Sequence, residues 1–280
     1  MILISSEKCL KYHSPGHPET PFRVRTTIDR LKDRYEIVSP KEIDQTDLER
    51  VHSAALIDQV RSGSFLDPDT PAYPDIYSLA RLSAGAAVKA AELALAGEPA
   101  MSLMRPPGHH AGRDQLGGFC YFNNVAVATA GALTKVKRAA IVDFDCHHGN
   151  GTQEIFLNDE RVWFLSLHQS PLYPGTGLSS NANCHNYPLP ARTTGGMFVQ
   201  VLHNALSEIE LFSPNLIAVS AGFDAYKNDP ITDMGLDLHS FEQIGREIAA
   251  LGLPRFAVLE GGYAPDLAEC VERFLVGFDD

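Results

Sequence analysis

The sequence predicts an α/β protein in which a parallel β-sheet is flanked by helices on both faces. Three observations predict it. Short apolar runs recur along the chain, they are nearly continuous rather than alternating, and helical stretches separate them. Continuous apolar strands imply burial on both faces, and strands alternating with helices imply a parallel sheet covered on each side. No repeat, low-complexity tract or linker-like stretch interrupts residues 1–280, so one domain is expected.

The strand candidates, in order, are "ILIS" (2–5), "AMSLM" (100–104), "AAIVDF" (139–144), "VWFLSL" (162–167), "LIAVSA" (216–221) and "FAVLE" (256–260). The helix candidates lie between and after them. The stretch 79–97 is Ala-rich and ends at a Gly, and 123–136, 195–212, 240–252 and 265–278 follow.

Composition narrows the function. Apolar residues make up 44% and charged residues 21%, ordinary values for a globular protein. A net charge of −12 argues against nucleic acid, whose binding draws its affinity from a basic face. An acidic chain suits a cationic substrate, and it equally serves solubility. Five Cys are scattered with no C-x-x-C pair, which reads as free thiols in a reducing compartment. The N-terminal "MILISSEKC" has neither a basic n-region nor a long apolar core, and no apolar run reaches membrane-spanning length. A cytoplasmic location is expected; oligomeric state is left open.

Most of the strand candidates run into a polar motif. "AMSLM" leads to "RPPGHH", "AAIVDF" to "DCHHGNG", "VWFLSL" to His168, "LIAVSA" to "GFDA" and "FAVLE" to "GGY". In an open parallel sheet the carboxyl ends of the strands form one edge, and ligands bind outside it. These motifs are therefore expected to converge.

Side chains two apart on a strand share a face. If strand geometry persists to residue 147, Asp143, Asp145 and His147 share one face, with Phe144, Cys146 and His148 on the other. Buried carboxylates side by side need a cation or donors. Asp145 and His147, joined by Asp224 after another buried strand, make a three-ligand set with an open position, as catalytic metal sites have. Such a set suits Zn2+, with Fe2+ as a substitute. Cys146 reads as a small buried hydrophobe.

His109 and His110 follow a rigid Pro-Pro-Gly turn and titrate in the range that proton transfer needs. Asp143 and Asn150 are available to orient them. Tyr263 follows two Gly that allow a tight turn, and its phenol could donate to a developing oxyanion. His148 is expected to make a hydrogen bond within the buried surroundings of the site.

Seven motifs, "YHSPGHPETPFRV", "RPPGHHAG", "GGFCYFNNVAVA", "VDFDCHHGNGTQ", "FLSLHQSPLYPGTG", "SAGFDAYKNDP" and "LEGGYAPD", together resemble the histone deacetylase family of zinc amidohydrolases. They occur in that family's order across about residues 12–270, and the "HHGNG" form with Asn150 is similar to its class II and bacterial branch. The resemblance implies the arginase–deacetylase fold and Zn2+ on Asp145, His147 and Asp224. It implies hydrolysis of an acyl amide such as the acetyl-lysine of a protein or peptide. It implies His110 as general base and acid, and His109 as its electrostatic partner, backed by Asp143. Asn150 is implied to support His110, and Tyr263 to stabilise the oxyanion. Gly118 and Phe119 are implied as one tunnel wall and Tyr173 as the opposite one. A structural K+ site is implied at Asp143, Asp145, His147, Ser166 and Leu167.

The chain departs from that pattern in two ways. It is shorter than most relatives, so reduced loops at the tunnel mouth are expected. Ile231 stands in "NDPITD" where polyamine-preferring members can carry a Glu, which weakens a polyamine substrate without excluding it. An acetylpolyamine or another small acylated amine is the alternative substrate. A binuclear Mn hydrolase similar to arginase and a non-catalytic acyl-lysine binding module are the further alternatives. Metal stoichiometry and binding by metal-free protein separate these two from the main reading.

Overall fold

Each of the six apolar runs becomes a strand, and two further strands complete the sheet. The computed structural model describes residues 1–280. The strands are β1 (Ile2–Ile4), β2 (Glu36–Val38), β3 (Ala100–Ser102), β4 (Ala139–Asp143), β5 (Val162–Gln169), β6 (Cys184–Leu189), β7 (Ile217–Ala221) and β8 (Arg255–Leu259). All pair in parallel in one sheet, in the order β2-β1-β3-β8-β7-β4-β5-β6. Residues of β3, β4 and β7 are buried throughout, as continuous apolar strings require.

The helices are α1 (Pro21–Leu31), α2 (Gln45–Leu48), α3 (Ala54–Ser62), α4 (Ile76–Leu95), α5 (Asn124–Ala132), α6 (Asn150–Phe156), α7 (Gly195–Phe212), α8 (Leu238–Ala249) and α9 (Leu267–Phe278). On one face α4 packs against β1, β3 and β8, with α5 beside it. Its small Ala side chains, buried from Ala80 to Ala94, allow close approach to the strands. On the other face α1, α9, α8 and α7 pack in succession. Phe144, Phe223, Phe241 and Phe274 stack edge-on and tilted between that layer and the sheet.

Three features differ from the sequence-based expectation. Strands β2 and β6 carried no apolar run because both are sheet edges, and β6 exposes Pro188. Helices α1, α2, α3 and α6 were also not expected. The third concerns the site: β4 ends at Asp143, so strand geometry does not persist to His147.

Candidate active site

Four central neighbours in the sheet, β3, β8, β7 and β4, deliver the motifs "RPPGHH", "GGY", "GFDA" and "DCHHGNG" that follow them. Their carboxyl ends meet at a cavity of about 260 Å³. Its lining includes His109 and His110 beyond β3, Asp145 and His147 beyond β4, and Gly261 and Tyr263 beyond β8. Gly118, Phe119 and Tyr173 contribute walls, and Asp69 and Ile231 also line it. Tyr173 is 49% exposed, which puts it towards the mouth.

Beyond Asp143 the chain keeps single backbone bonds to β7 and β5, from the Phe144 N–H to the Ser220 carbonyl and from the Gln169 N–H to the Cys146 carbonyl, and is otherwise shaped by its own carboxylates. The Asp145 N–H donates to Asp143 Oδ1 at 3.1 Å, and the His147 N–H to Asp145 Oδ1 at 2.9 Å. These short loops still bring Asp145 and His147 together with Asp224, whose Oδ1 accepts the Cys146 N–H at 2.8 Å. Asp145 Oδ2 accepts the Gly261 N–H at 2.7 Å. A Cβ at Gly261 would lie 2.4 Å from Asp224 Oδ2 and 2.6 Å from Asp145 Oδ2, so this position requires glycine. Cys146 is fully buried, with its Sγ 3.7 Å from Gln169 Oε1.

One donor atom from each of Asp145, His147 and Asp224 lies within 4.8 Å of the others. Asp224 Oδ2 is buried and accepts no hydrogen bond, although His147 Nδ1 is 2.9 Å away out of donor alignment. A buried carboxylate oxygen left without a donor is costly. Two buried carboxylates beside an imidazole are a set that a divalent cation would satisfy.

The two histidines differ in environment. His109 Nδ1 donates to Asp143 Oδ2 at 3.0 Å. His110 Nδ1 donates to Asn150 Oδ1 at 2.7 Å. Each partner atom can only accept, so each proton sits on Nδ1 and each Nε2 is left for the cavity. Burial disfavours the charge of His109, but the Asp143 and Asp145 carboxylates outweigh it and raise its pKa to about 10. Burial, reinforced by the neighbouring His109 and His147, drives His110 far below the usual value. Burial likewise raises the Tyr263 phenol, keeping it a proton donor.

The wall opposite Tyr263 is held under backbone strain. Phe119 has φ 70° and Gly118 φ 55°. Any side chain at Gly118 would strike the His110 ring at 2.4 Å. The Phe119 N–H donates to buried Thr70 Oγ1 at 3.0 Å, and its ring meets those of His17 and Tyr263 edge-on.

Ser166 faces Asp143 in the β4–β5 register and bonds His168 Nδ1 at 2.9 Å; Leu167 is buried beside it. His148 lies 2.8 Å from Thr176 Oγ1 and 3.0 Å from Gln153 Oε1, within the buried surroundings.

Sequence reasoning missed a buried charge network behind the Tyr263 loop. Arg23 Nε donates to the Gly262 carbonyl at 2.6 Å, and the guanidinium lies 4.8 Å from the Tyr263 ring. Glu19 bridges Arg23 and Arg105, binding Arg105 through both oxygens at 2.6 Å. Glu260 accepts the N–H groups of Gly108 and His109. Glu19, Arg23 and Arg105 lie in motifs visible in the sequence, but nothing there marks them as buried.

The family model for the histone deacetylase domain matches residues 17–277. A probable deacetylase of Methanothermobacter thermautotrophicus is 38% identical, over 100% of this chain and 91% of that protein. Acetylpolyamine amidohydrolase 1 of Pseudomonas aeruginosa is 34% identical, over 88% of this chain and 86% of its own length. The crystal structure of an acetylpolyamine aminohydrolase from Burkholderia pseudomallei superposes with a TM-score of 0.93 at 26% identity, covering 99% of this chain and 98% of that one.

Proposed function

The chain belongs to the histone deacetylase family, and from that premise we propose that it is a zinc-dependent amidohydrolase that deacetylates a small acylated amine of the polyamine kind. The observation that carries the reaction is one pocket lined by His109, His110, Asp145, His147 and Tyr263, with Asp224 behind it. The relatives named as acetylpolyamine hydrolases favour the small amine over the acetyl-lysine of a protein. So does the lining: it contains Asp69 and no Lys or Arg, which suits a substrate carrying a second ammonium. Ile231, apolar on the same rim, leaves acetyl-lysine as the second reading.

Asp145, His147 and Asp224 would hold Zn2+, or Fe2+ in its place, which supplies Lewis acidity towards the amide carbonyl and water. His110 takes the proton of the attacking water on Nε2, which its neutral form leaves free, while Asn150 holds the ring. That proton then passes to the leaving nitrogen, so that the amine departs and acetate remains. His109, kept cationic by Asp143, adds positive charge beside the developing oxyanion. Tyr263 donates its phenol proton in a hydrogen bond to that oxygen. Gly118, Phe119 and Tyr173 enclose the aliphatic chain. Ser166 and Leu167, with Asp143, Asp145 and His147, would hold the structural K+.

A panel of acetylated polyamines, acetyl-lysine peptides and longer acyl-lysines, with and without a chelator, tests this. Acetylpolyamines should be turned over with kcat/KM about twofold to fivefold above the peptide, a margin that one additional exposed ion pair can supply. Asp69→Asn should remove that margin and leave an uncharged acetylamine unaffected. A peptide preferred over every polyamine would reverse the substrate assignment, and chelator-resistant turnover would remove the metal.

A further inference from the structure

Asp229 has no part in the chemistry above, yet it ties together two loops that line the pocket. Its Oδ2 accepts the Tyr263 N–H at 2.7 Å and its Oδ1 accepts the Ile231 N–H at 3.1 Å. The side chain is buried, 7% exposed. One carboxylate thus joins the segment after β7 to the segment after β8.

The two ends of this tie are held in different ways. The segment that carries Asp229 is braced from within. The Asp229 N–H donates to the Tyr226 carbonyl at 2.8 Å, and the Lys227 N–H to the Leu236 carbonyl at 2.8 Å. The Thr232 hydroxyl donates to the Asp224 carbonyl. Tyr263 directly follows Gly262, whose φ of 117° only glycine adopts freely and whose carbonyl is held by Arg23. The bond to Asp229 is what the backbone N–H of Tyr263 makes beyond that pivot.

We infer that Asp229 is a positioning residue, which sets the phenol of Tyr263 against the reacting carbonyl by clamping its backbone to the loop of Ile231. The inference rests on the reading of Tyr263 as oxyanion donor. A carboxylate is needed because both oxygens accept. An amide offers one accepting oxygen and turns an NH2 group against the second N–H. A displacement of about 1 Å at a group that acts in the transition state can cost about 100-fold in rate.

The test is a double-mutant cycle on the zinc-loaded enzyme: wild type, Asp229→Asn, Tyr263→Phe and the double variant. Turnover is read with an acetylpolyamine and with a trifluoroacetyl amide, whose electron-poor carbonyl keeps slow variants measurable. Tyr263→Phe should lower kcat by about 10²–10³. Asp229→Asn should lower kcat by about 10- to 100-fold with KM changed less than about threefold, and with zinc content retained. In the Tyr263→Phe background the same change should cost less than about threefold, because the residue it positions is gone. An equal loss in both backgrounds, an unchanged kcat, or loss of zinc would each overturn the inference. If Asp229→Asn does not fold, Asp229→Glu, which keeps both acceptors one methylene further out, enters the same cycle under the same criteria. Full turnover by Tyr263→Phe alone would instead defeat the reading of Tyr263 itself, and that arm is measured independently of Asp229.

Discussion

His110 Nδ1 donates to the side-chain oxygen of Asn150 at 2.7 Å, whereas the adjacent His109 faces the carboxylate of Asp143. A neutral acceptor orients a ring and favours its cation only through the hydrogen bond; a carboxylate adds the attraction of a full opposite charge. The difference leaves one histidine able to take a proton and the other charged.

Asn150→Asp should therefore convert the first case into the second. A carboxylate at this position raises the pKa of His110 by about 1–3 units, so the base is protonated over more of the pH range. The acidic limb of the kcat/KM profile should move to higher pH and the rate at pH 7 should fall. A pH–rate profile checks it; a limb that stays in place would show that His110 is not the base.

Gly261→Ala should abolish the metal site while sparing the sheet. The new methyl would sit against the carboxylate oxygens of Asp145 and Asp224. Zinc measured by atomic spectroscopy should drop far below one per chain. Circular dichroism should retain its α/β signature, because Gly261 lies beyond the end of β8.

Metal removal should destabilise the protein as well as inactivate it. Asp224 Oδ2 is buried with no donor, so a cation that binds only the folded state contributes stability by mass action. At a concentration 1,000 times Kd this is about 4 kcal/mol, or roughly 7 °C in Tm for a chain of this size. Thermal melts with chelator, and after return of Zn2+, read it directly. Equal melts would place the cation elsewhere.

Acid should weaken the fold through His52. Its Nδ1 donates to the Gly112 carbonyl at 2.8 Å and its Nε2 accepts the Asn123 N–H at 2.9 Å, so the folded ring is neutral. Burial lowers its pKa to about 4 from an ordinary 6.5. The unfolded chain binds the proton first, so the contribution is complete above about pH 6.5 and is lost as pH falls towards 4, amounting to at most about 3 kcal/mol. The urea midpoint should fall from pH 7 to 4.5. His52→Gln should flatten that fall and cost about 1–3 kcal/mol at pH 7 through the unpaired backbone groups.

The six buried strands were legible because burial on both faces writes a continuous apolar string into each of them. Edge strands β2 and β6 carry no such string, since half of their surroundings is solvent. Asp145, His147 and Asp224 could be proposed as a group from residue type and position after strands. The reason first given for the first two, a shared strand face, does not hold. Side-chain bonds from Asp143 and Asp145 to the following N–H groups shape that segment instead. Glu19, Arg23, Arg105, Asp229 and Glu260 could not be recognised as buried, because a charge is buried only by what packs against it.

The sequence by itself determined the strand–helix alternation, the family, and the fact that polar motifs follow the buried strands. Each is local, carried by residue types in a row. Only the tertiary structure decided that β3, β8, β7 and β4 are neighbours in that order, which is what brings residues 109, 145 and 263 to one cavity with residue 224 behind it. It alone decided which oxygen each histidine meets, and hence which ring holds its proton, because pKa depends on distance and burial and not on spacing along the chain.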